Sequence, residues 1–273
     1  MDRLGILGAP SDWLISCHVD PEMTKKVLGI ELVSLDIKEL SDLYNENKDV
    51  IYPKGLLHAS FDENELNKAY RLYFSIKELV KKHNLKGFTI RCFDLLGTLH
   101  TTACLGLSLL NEEGIIASCE GDVPAMISMF LANKLLKKHG FQANPSYILQ
   151  DSNEFVIAHC TLPLDMCNSY KLDTHFESNT GVAIKGEMQV GPVTVFRVSA
   201  DLKQYIILEG EIEQNLNQTD LCRTQIKIKL NSPDNVRYFL KNPIGNHHII
   251  TYGHNKSVLD KYLKDKGLQA VKY

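Results

Sequence analysis

The sequence predicts an α/β protein in two parts. A Rossmann-like domain built on a parallel sheet covers residues 1–150, and a mainly β, barrel-like antiparallel domain covers residues 151–273. Three observations lead there. Up to about Tyr147, short apolar runs alternate with helical patterns, the texture of a parallel sheet with helices on both sides. Beyond it, short segments with every second residue apolar follow one another, as in an antiparallel sheet or barrel. A chain of 273 residues is long enough for one large domain or two ordinary ones.

Taken in order, Leu4 to Leu7 is a first strand, followed by the turn Gly8-Ala9-Pro10-Ser11-Asp12. A glycine turn after a first strand suits an anion, but it lacks the Gly-x-Gly-x-x-Gly spacing and the Lys-Ser/Thr ending of nucleotide sites. Glu22 to Leu28 reads as a helix closed by Gly29, Ile30 to Leu35 as a second strand, and Asp36 to Asn45 as a short helix. Ser60 opens a longer helix, with Glu63 three residues on as a capping box. Leu66, Ala69, Tyr70, Tyr73, Phe74 and Ile76 recur at helical spacing and form its core face. Asn84 and Gly87 end it. Phe88 to Cys92 is then a strand and Thr101 to Leu110 a helix.

The next unit organises the chemistry. Ile115-Ile116-Ala117-Ser118-Cys119 is a short buried strand that runs into Glu120-Gly121-Asp122-Val123-Pro124. Pro124 suits the first turn of a helix and Asp122 its N-cap. The helix runs to about His139, with Lys137, Lys138 and His139 at its negative end and Gly140 as the stop. Glu120 therefore sits where a strand hands over to a helix, the place where open α/β sheets bind ligands. A carboxylate leaving a sheet interior needs a partner or a metal. Glu120 is accordingly a candidate functional residue, whereas capping is the simpler role for Asp122.

In the second half, Glu154 to His159, Gly181 to Met188, Val193 to Val198, Tyr205 to Leu208 and Thr224 to Leu230 read as strands. Ser257 to Lys266 is a closing helix ended by Gly267, and Leu268 to Val271 a last strand. The boundary between the two halves falls near 147–152. His159 ends its strand, and a lone histidine there is ordinarily a hydrogen-bonded structural residue. His247 and His248 lie between a glycine turn and the apolar pair Ile249-Ile250. Neighbours on a strand face opposite ways, so one of the two at most is a ligand. A carboxylate with one or two histidines suits a divalent metal such as Mn²⁺.

Composition excludes several classes. A formal net charge of -3 gives no reason to expect nucleic acid or an anionic membrane as partner. No apolar stretch approaches a membrane span, and Met1-Asp2-Arg3-Leu4-Gly5-Ile6 is not a secretory signal, so the expected location is the cytoplasm. Seven scattered cysteines without a Cys-x-x-Cys pair suggest buried thiols rather than a zinc knuckle or a disulfide framework.

Several of these segments together resemble the middle and C-terminal domains of the L-fucose isomerase family. The likeness lies in Gly5 to Leu14, with Gly8-Ala9-Pro10-Ser11-Asp12-Trp13-Leu14, in Arg91-Cys92-Phe93-Asp94-Leu95-Leu96, in Cys104 to Asn111, and in Cys119-Glu120-Gly121-Asp122. It continues in Ala158-His159-Cys160-Thr161, Gly191-Pro192-Val193-Thr194 and Asn246-His247-His248-Ile249-Ile250-Thr251-Tyr252-Gly253-His254. Their order and spacing are more specific than any one of them. L-arabinose isomerases are more distant relatives of similar layout.

The resemblance implies a ketol isomerase that interconverts an aldose and a ketose through an enediol, with Mn²⁺ polarising the sugar oxygens. It assigns Glu120 as metal ligand and proton shuttle, His247 as metal ligand with His248 as the fallback, and His159 as a further ligand. Asn144 falls about where the family has a second metal carboxylate; an amide ligates through oxygen but is no base. The family also has an N-terminal α/β domain that helps build a neighbouring subunit's sugar site, whereas this chain opens at the second domain. The expected partners are a small sugar and other copies in a trimer or hexamer; for the first domain three alternatives stand open, a shortened member, a separate chain that supplies it, or lost catalysis. A non-catalytic sugar-binding or regulatory protein is the alternative, and one part of a split isomerase a third reading.

Overall fold

The computed structural model describes residues 1–53 and 61–272. Its first layer is a parallel sheet of β1 (Asp2–Leu7), β2 (Ile30–Leu35), β3 (Gly87–Ile90) and β4 (Ile116–Ser118), in the order β2-β1-β3-β4. Helices α1 (Pro21–Leu28), α2 (Ile37–Glu46), α3 (Glu63–Lys82), α4 (Phe93–Leu99), α5 (Cys104–Glu112) and α6 (Val123–Leu136) connect and cover it. Leu7, Phe88, Ile90 and Ala117 pack with α3 and α5, while Leu4, Ile6 and Ile116 pack with α6 on the other side. The expected parallel sheet with helices on both faces is what the chain forms.

The second layer is a closed barrel. Strands β5 (Phe141–Leu149) and β6 (Glu154–His159) begin it; the hairpin β7 (Cys167–Asp173) and β8 (Ala183–Met188) stands beside it. Strands β9 (Gly191–Val198), β10 (Gln204–Asn215), β11 (Thr224–Leu230) and β12 (His248–Tyr252) complete it, every neighbour being antiparallel. Pairing of β10 with β11 shuts the ring, which removes the free edges an open sheet would expose. Phe155, Ile157, Val193, Val195, Ile226 and Ile228 belong to the barrel core, with Lys227 and Lys229 outside. Helices α7 (Arg237–Lys241) and α8 (Lys256–Asp265) and the short β13 (Gln269–Ala270) finish the fold.

Helix α6 joins the layers. Every residue from Val123 to Ala132 is buried, because the helix lies between the sheet and strand β9. Among the described residues, no single helix is long and apolar enough to cross a membrane.

Several local expectations need correction. The capping Ser60 lies outside the described residues, and the long helix starts at Glu63 with Asp62 accepting from the Glu65 N–H. Phe74, expected on its core face, is 40% exposed. Helix α6 stops at Leu136 because Lys137 takes the left-handed conformation, ahead of Gly140. Strand β5 was not foreseen: Pro145 argues against a strand, but it sits at a bulge in the β5–β6 pairing, where a missing N–H is tolerated. Barrel pairing thus begins at Phe141, ahead of the expected boundary near 147–152.

Candidate functional site

The site begins with a backbone feature. Glu120 has φ of 59°, a left-handed conformation that costs a residue with a Cβ roughly 1–2 kcal/mol. Gly121 follows at φ 64°, and a Cβ there would stand 2.8 Å from the Ala9 carbonyl oxygen. The turn is fixed from both sides: the Gly121 N–H donates to the Ile90 carbonyl at 2.9 Å, and the Ser11 N–H to the Gly121 carbonyl at 3.1 Å. Two consecutive left-handed residues throw the Glu120 side chain off the end of β4 toward the barrel. Asp122 then caps α6 through the Ala125 N–H, as expected.

The barrel supplies the other half. His159 ends β6 and His247 precedes β12. Glu120 Oε1 lies 3.3 Å from His159 Nε2 and 3.5 Å from His247 Nε2, and the two imidazole rings are 5.2 Å apart. One donor atom from each of the three side chains falls within 4.8 Å of the others, so the group could hold a metal ion. His159 Nδ1 pairs with Thr161 Oγ1 at 3.0 Å, leaving Nε2 turned to Glu120. His247 Nδ1 pairs with Asp122 Oδ2 at 2.9 Å, while its Nε2 is buried and makes no hydrogen bond among the described residues. A carboxylate on one imidazole nitrogen, with the other nitrogen free, is how metal-binding histidines are oriented.

Beneath this lies an ion pair that no sequence pattern announced. Arg197 on β9 is fully buried and grips Asp122 through two nitrogens, at 2.9 and 3.0 Å. It also donates to the His247 carbonyl at 2.6 Å. Gly245 makes room for it, since a Cβ there would meet the guanidinium at 2.1 Å. Gln142 on β5 bonds the Cys119 N–H at 2.8 Å and the Ser118 hydroxyl at 2.9 Å, tying the end of β4 to the barrel.

The charges follow from this packing. Burial works against the ionised Glu120, but the charge on His247 and the hydrogen bond from His159 outweigh it and hold the carboxyl below the usual range. Burial likewise opposes the Asp122 charge, and Arg197 and His247 overcome it. For His247, burial favours the neutral ring, yet Glu120 and Asp122 raise it to about 9. Burial lowers His159. Two carboxylates facing one imidazole favour positive charge between them, and a proton and a divalent cation compete for that place.

His248 does not join the group. Its Nε2 pairs with the Tyr238 hydroxyl at 2.9 Å on the opposite face of the strand, and burial lowers it to about 3. Asn144 lines the same cavity as Glu120 and His159, a space of about 400 Å³ that also touches Trp13, Asn246 and Glu177. That volume lies in the range of small-molecule sites. Arg197, Gln142, His175 and Glu177 were not singled out from sequence; only a buried arginine among apolar strand residues, Val195-Phe196-Arg197-Val198, was there to be noticed.

No protein-family model matches the chain. It is similar to curated proteins named sulfoquinovose isomerase. It is 24% identical to that of Alkalicoccus urumqiensis, with 80% of this chain aligned to 53% of the relative. It is 22% identical to those of Priestia aryabhattai and Priestia megaterium, with 92% of this chain aligned to 60% of each. The chain thus spans between half and two thirds of the length of these relatives.

Proposed function

We propose that this chain carries the metal-binding and proton-handling centre of a sugar aldose–ketose isomerase, with Glu120, His159 and His247 holding one divalent cation, Mn²⁺ being the first to test. The reading rests on His247 Nε2, buried, without a hydrogen bond among the described residues, 3.5 Å from Glu120 Oε1 and oriented by Asp122. Similarity to the named sugar isomerases supports it.

A bound cation would supply Lewis acidity to the oxygens of an open-chain sugar. Glu120 removes a proton from the carbon beside the carbonyl and returns it to the neighbouring carbon, which converts aldose to ketose through an enediol. Asp122 and Arg197 hold the His247 ring, and Asn144 and Asn246 offer amides to the sugar hydroxyls in the cavity. Sulfoquinovose and L-fucose are the first sugars to try. The working form is a cytoplasmic homo-oligomer, a trimer or hexamer, with a further chain or domain closing the sugar site.

Asn144 favours a second reading, a sugar-binding protein without turnover, since an amide cannot act as a base. One experiment separates them. The protein is purified without chelator, its metal content measured, and aldose–ketose exchange followed with Mn²⁺ over pentoses, hexoses, deoxyhexoses and sulfoquinovose. Metal uptake with turnover of one sugar is the expected result. Absence of turnover on every sugar, with metal bound, would leave the binding-protein reading.

A further inference from the structure

Isomerisation moves two kinds of proton, one on carbon and one on oxygen, and Glu120 accounts only for the first. Among the residues lining the cavity, two are carboxylates, Glu120 and Glu177. Asp122 is fully buried and already bonded to Arg197, His247 and the Ala125 N–H. Asn144 is neutral. Glu177, by contrast, accepts no hydrogen bond among the described residues; its nearest ionic neighbour is His175 Nε2 at 4.0 Å.

Glu177 is held at the cavity by a built loop. Between β7 and β8, the His175 N–H donates to the Thr180 carbonyl at 3.1 Å and the Asn179 N–H to the His175 carbonyl at 2.9 Å. His175 Nδ1 pairs with Ser178 Oγ at 3.0 Å, which turns Nε2 toward Glu177, and its ring packs edge-on against Phe93 at 5.9 Å. The next residue, Phe176, packs with Cys104 and Cys160 under the Arg223 guanidinium. The Gly181 N–H is fastened to Glu65 Oε2 at 3.0 Å. The loop is pinned on both sides of position 177.

We propose that Glu177 is the second acid–base group of the reaction, exchanging the protons on the sugar oxygens while Glu120 moves the carbon-bound one. This rests on the isomerase reading. For an aldose, Glu120 takes the proton from C2, the C–H pair becomes the C1=C2 bond, and the carbonyl pair moves onto O1. Protonated Glu177 gives its proton to O1, completing the enediol. Glu177 then takes the proton from O2, the C2=O bond forms, and Glu120 returns its proton to C1. Both carboxyls end as they began and nothing is oxidised. The Glu177 side chain is 55% exposed, open to exchange its proton with solvent between turnovers, while its partial burial and the Glu120 charge push the carboxyl up.

The test uses the whole chain with Mn²⁺, comparing wild type with Glu177→Gln and Glu177→Asp. The readouts are exchange on the panel above, Mn²⁺ uptake by equilibrium dialysis, and binding of a sugar alcohol. Glu177→Gln is expected to lower kcat roughly 10²- to 10⁴-fold, the range for general acid–base catalysis. Mn²⁺ uptake and sugar-alcohol affinity should stay within about threefold, as expected for a group outside the metal-binding trio, and Glu177→Asp should recover part of the rate. Wild-type turnover by Glu177→Gln would overturn the assignment, and so would a loss of sugar-alcohol affinity that matches the loss of rate. Inactivity of the wild type on every sugar would instead overturn the isomerase reading, and this assignment with it.

Discussion

Arg197 and Asp122 form a two-pronged ion pair, at 2.9 and 3.0 Å, in which neither side chain reaches solvent. The pair links the barrel to the cap of α6, and its carboxylate also orients His247. Removing one partner leaves an unbalanced buried charge, so Arg197→Met should cost about 3–5 kcal/mol in stability. Asp122→Asn should in addition weaken Mn²⁺ binding roughly 10- to 100-fold, because the His247 ring loses its orienting carboxylate. Thermal melts and metal titrations check both. Asp122→Asn with unchanged metal affinity would show that the ring is held by its packing alone.

The two adjacent histidines should behave oppositely. Binding to the folded state alone raises thermal stability by mass action, so Mn²⁺ should lift the melting temperature of the wild type. His247→Ala should abolish that shift. His248→Ala should keep it while melting lower, since it loses the buried Tyr238 partner. Melts with and without Mn²⁺ decide. A full shift in His247→Ala would remove it from the ligand set.

Trp13 is the chain's one tryptophan, half exposed at the rim of the cavity, with Arg91 4.7 Å over its ring and Phe93 5.7 Å away. Its emission therefore reports on that rim alone. A sugar alcohol entering the cavity displaces water from the indole and should shift the emission to the blue, saturably. Titration of Glu120→Gln, which keeps Trp13, provides the comparison. Emission that ignores a ligand whose binding calorimetry detects would place that ligand elsewhere.

His139 gives a pH dependence away from the candidate site. Its Nδ1 pairs with Asp165 Oδ2 at 2.6 Å, and this hydrogen bond, with Glu112 also nearby, raises it above the ordinary histidine value against the pull of burial. A raised folded-state pKa stabilises fully below the unfolded value of about 6.5 and is lost as pH rises through the folded value. The pair is partly exposed, so screening limits the gain to about 1 kcal/mol or less. The melting difference between wild type and His139→Gln should then be about 1–3 °C near pH 5.5 and vanish at alkaline pH. A difference that grows with pH would contradict the sign.

What the sequence made legible was local. Glu120, Asp122 and the paired histidines stand in short segments where a strand, glycine and cap follow one another, so their places were readable. Arg197 was not, because its partner lies 75 residues away and its own strand reads as apolar. Strand β5 hid behind Pro145. Strand β7, Cys-Asn-Ser-Tyr-Lys-Leu-Asp, shows little apolar alternation because most of it is only partly buried. Helix α4 has seven residues and no side-chain cap, too little pattern to stand out. Glu177 belongs to a loop whose position is set by Thr102, Glu65 and Arg223, all distant in the chain.

The left-handed backbone at Glu120 has an evolutionary consequence. Glycine adopts that conformation without the penalty, but it would also strip His247 and His159 of the carboxylate they face. Glu120→Gly should therefore regain about 1–2 kcal/mol of backbone strain, lose the pairing with His247 against it, and lose all gain in melting temperature from Mn²⁺. The strain at position 120 is kept for the sake of what its side chain does there, pairing with the two histidines included.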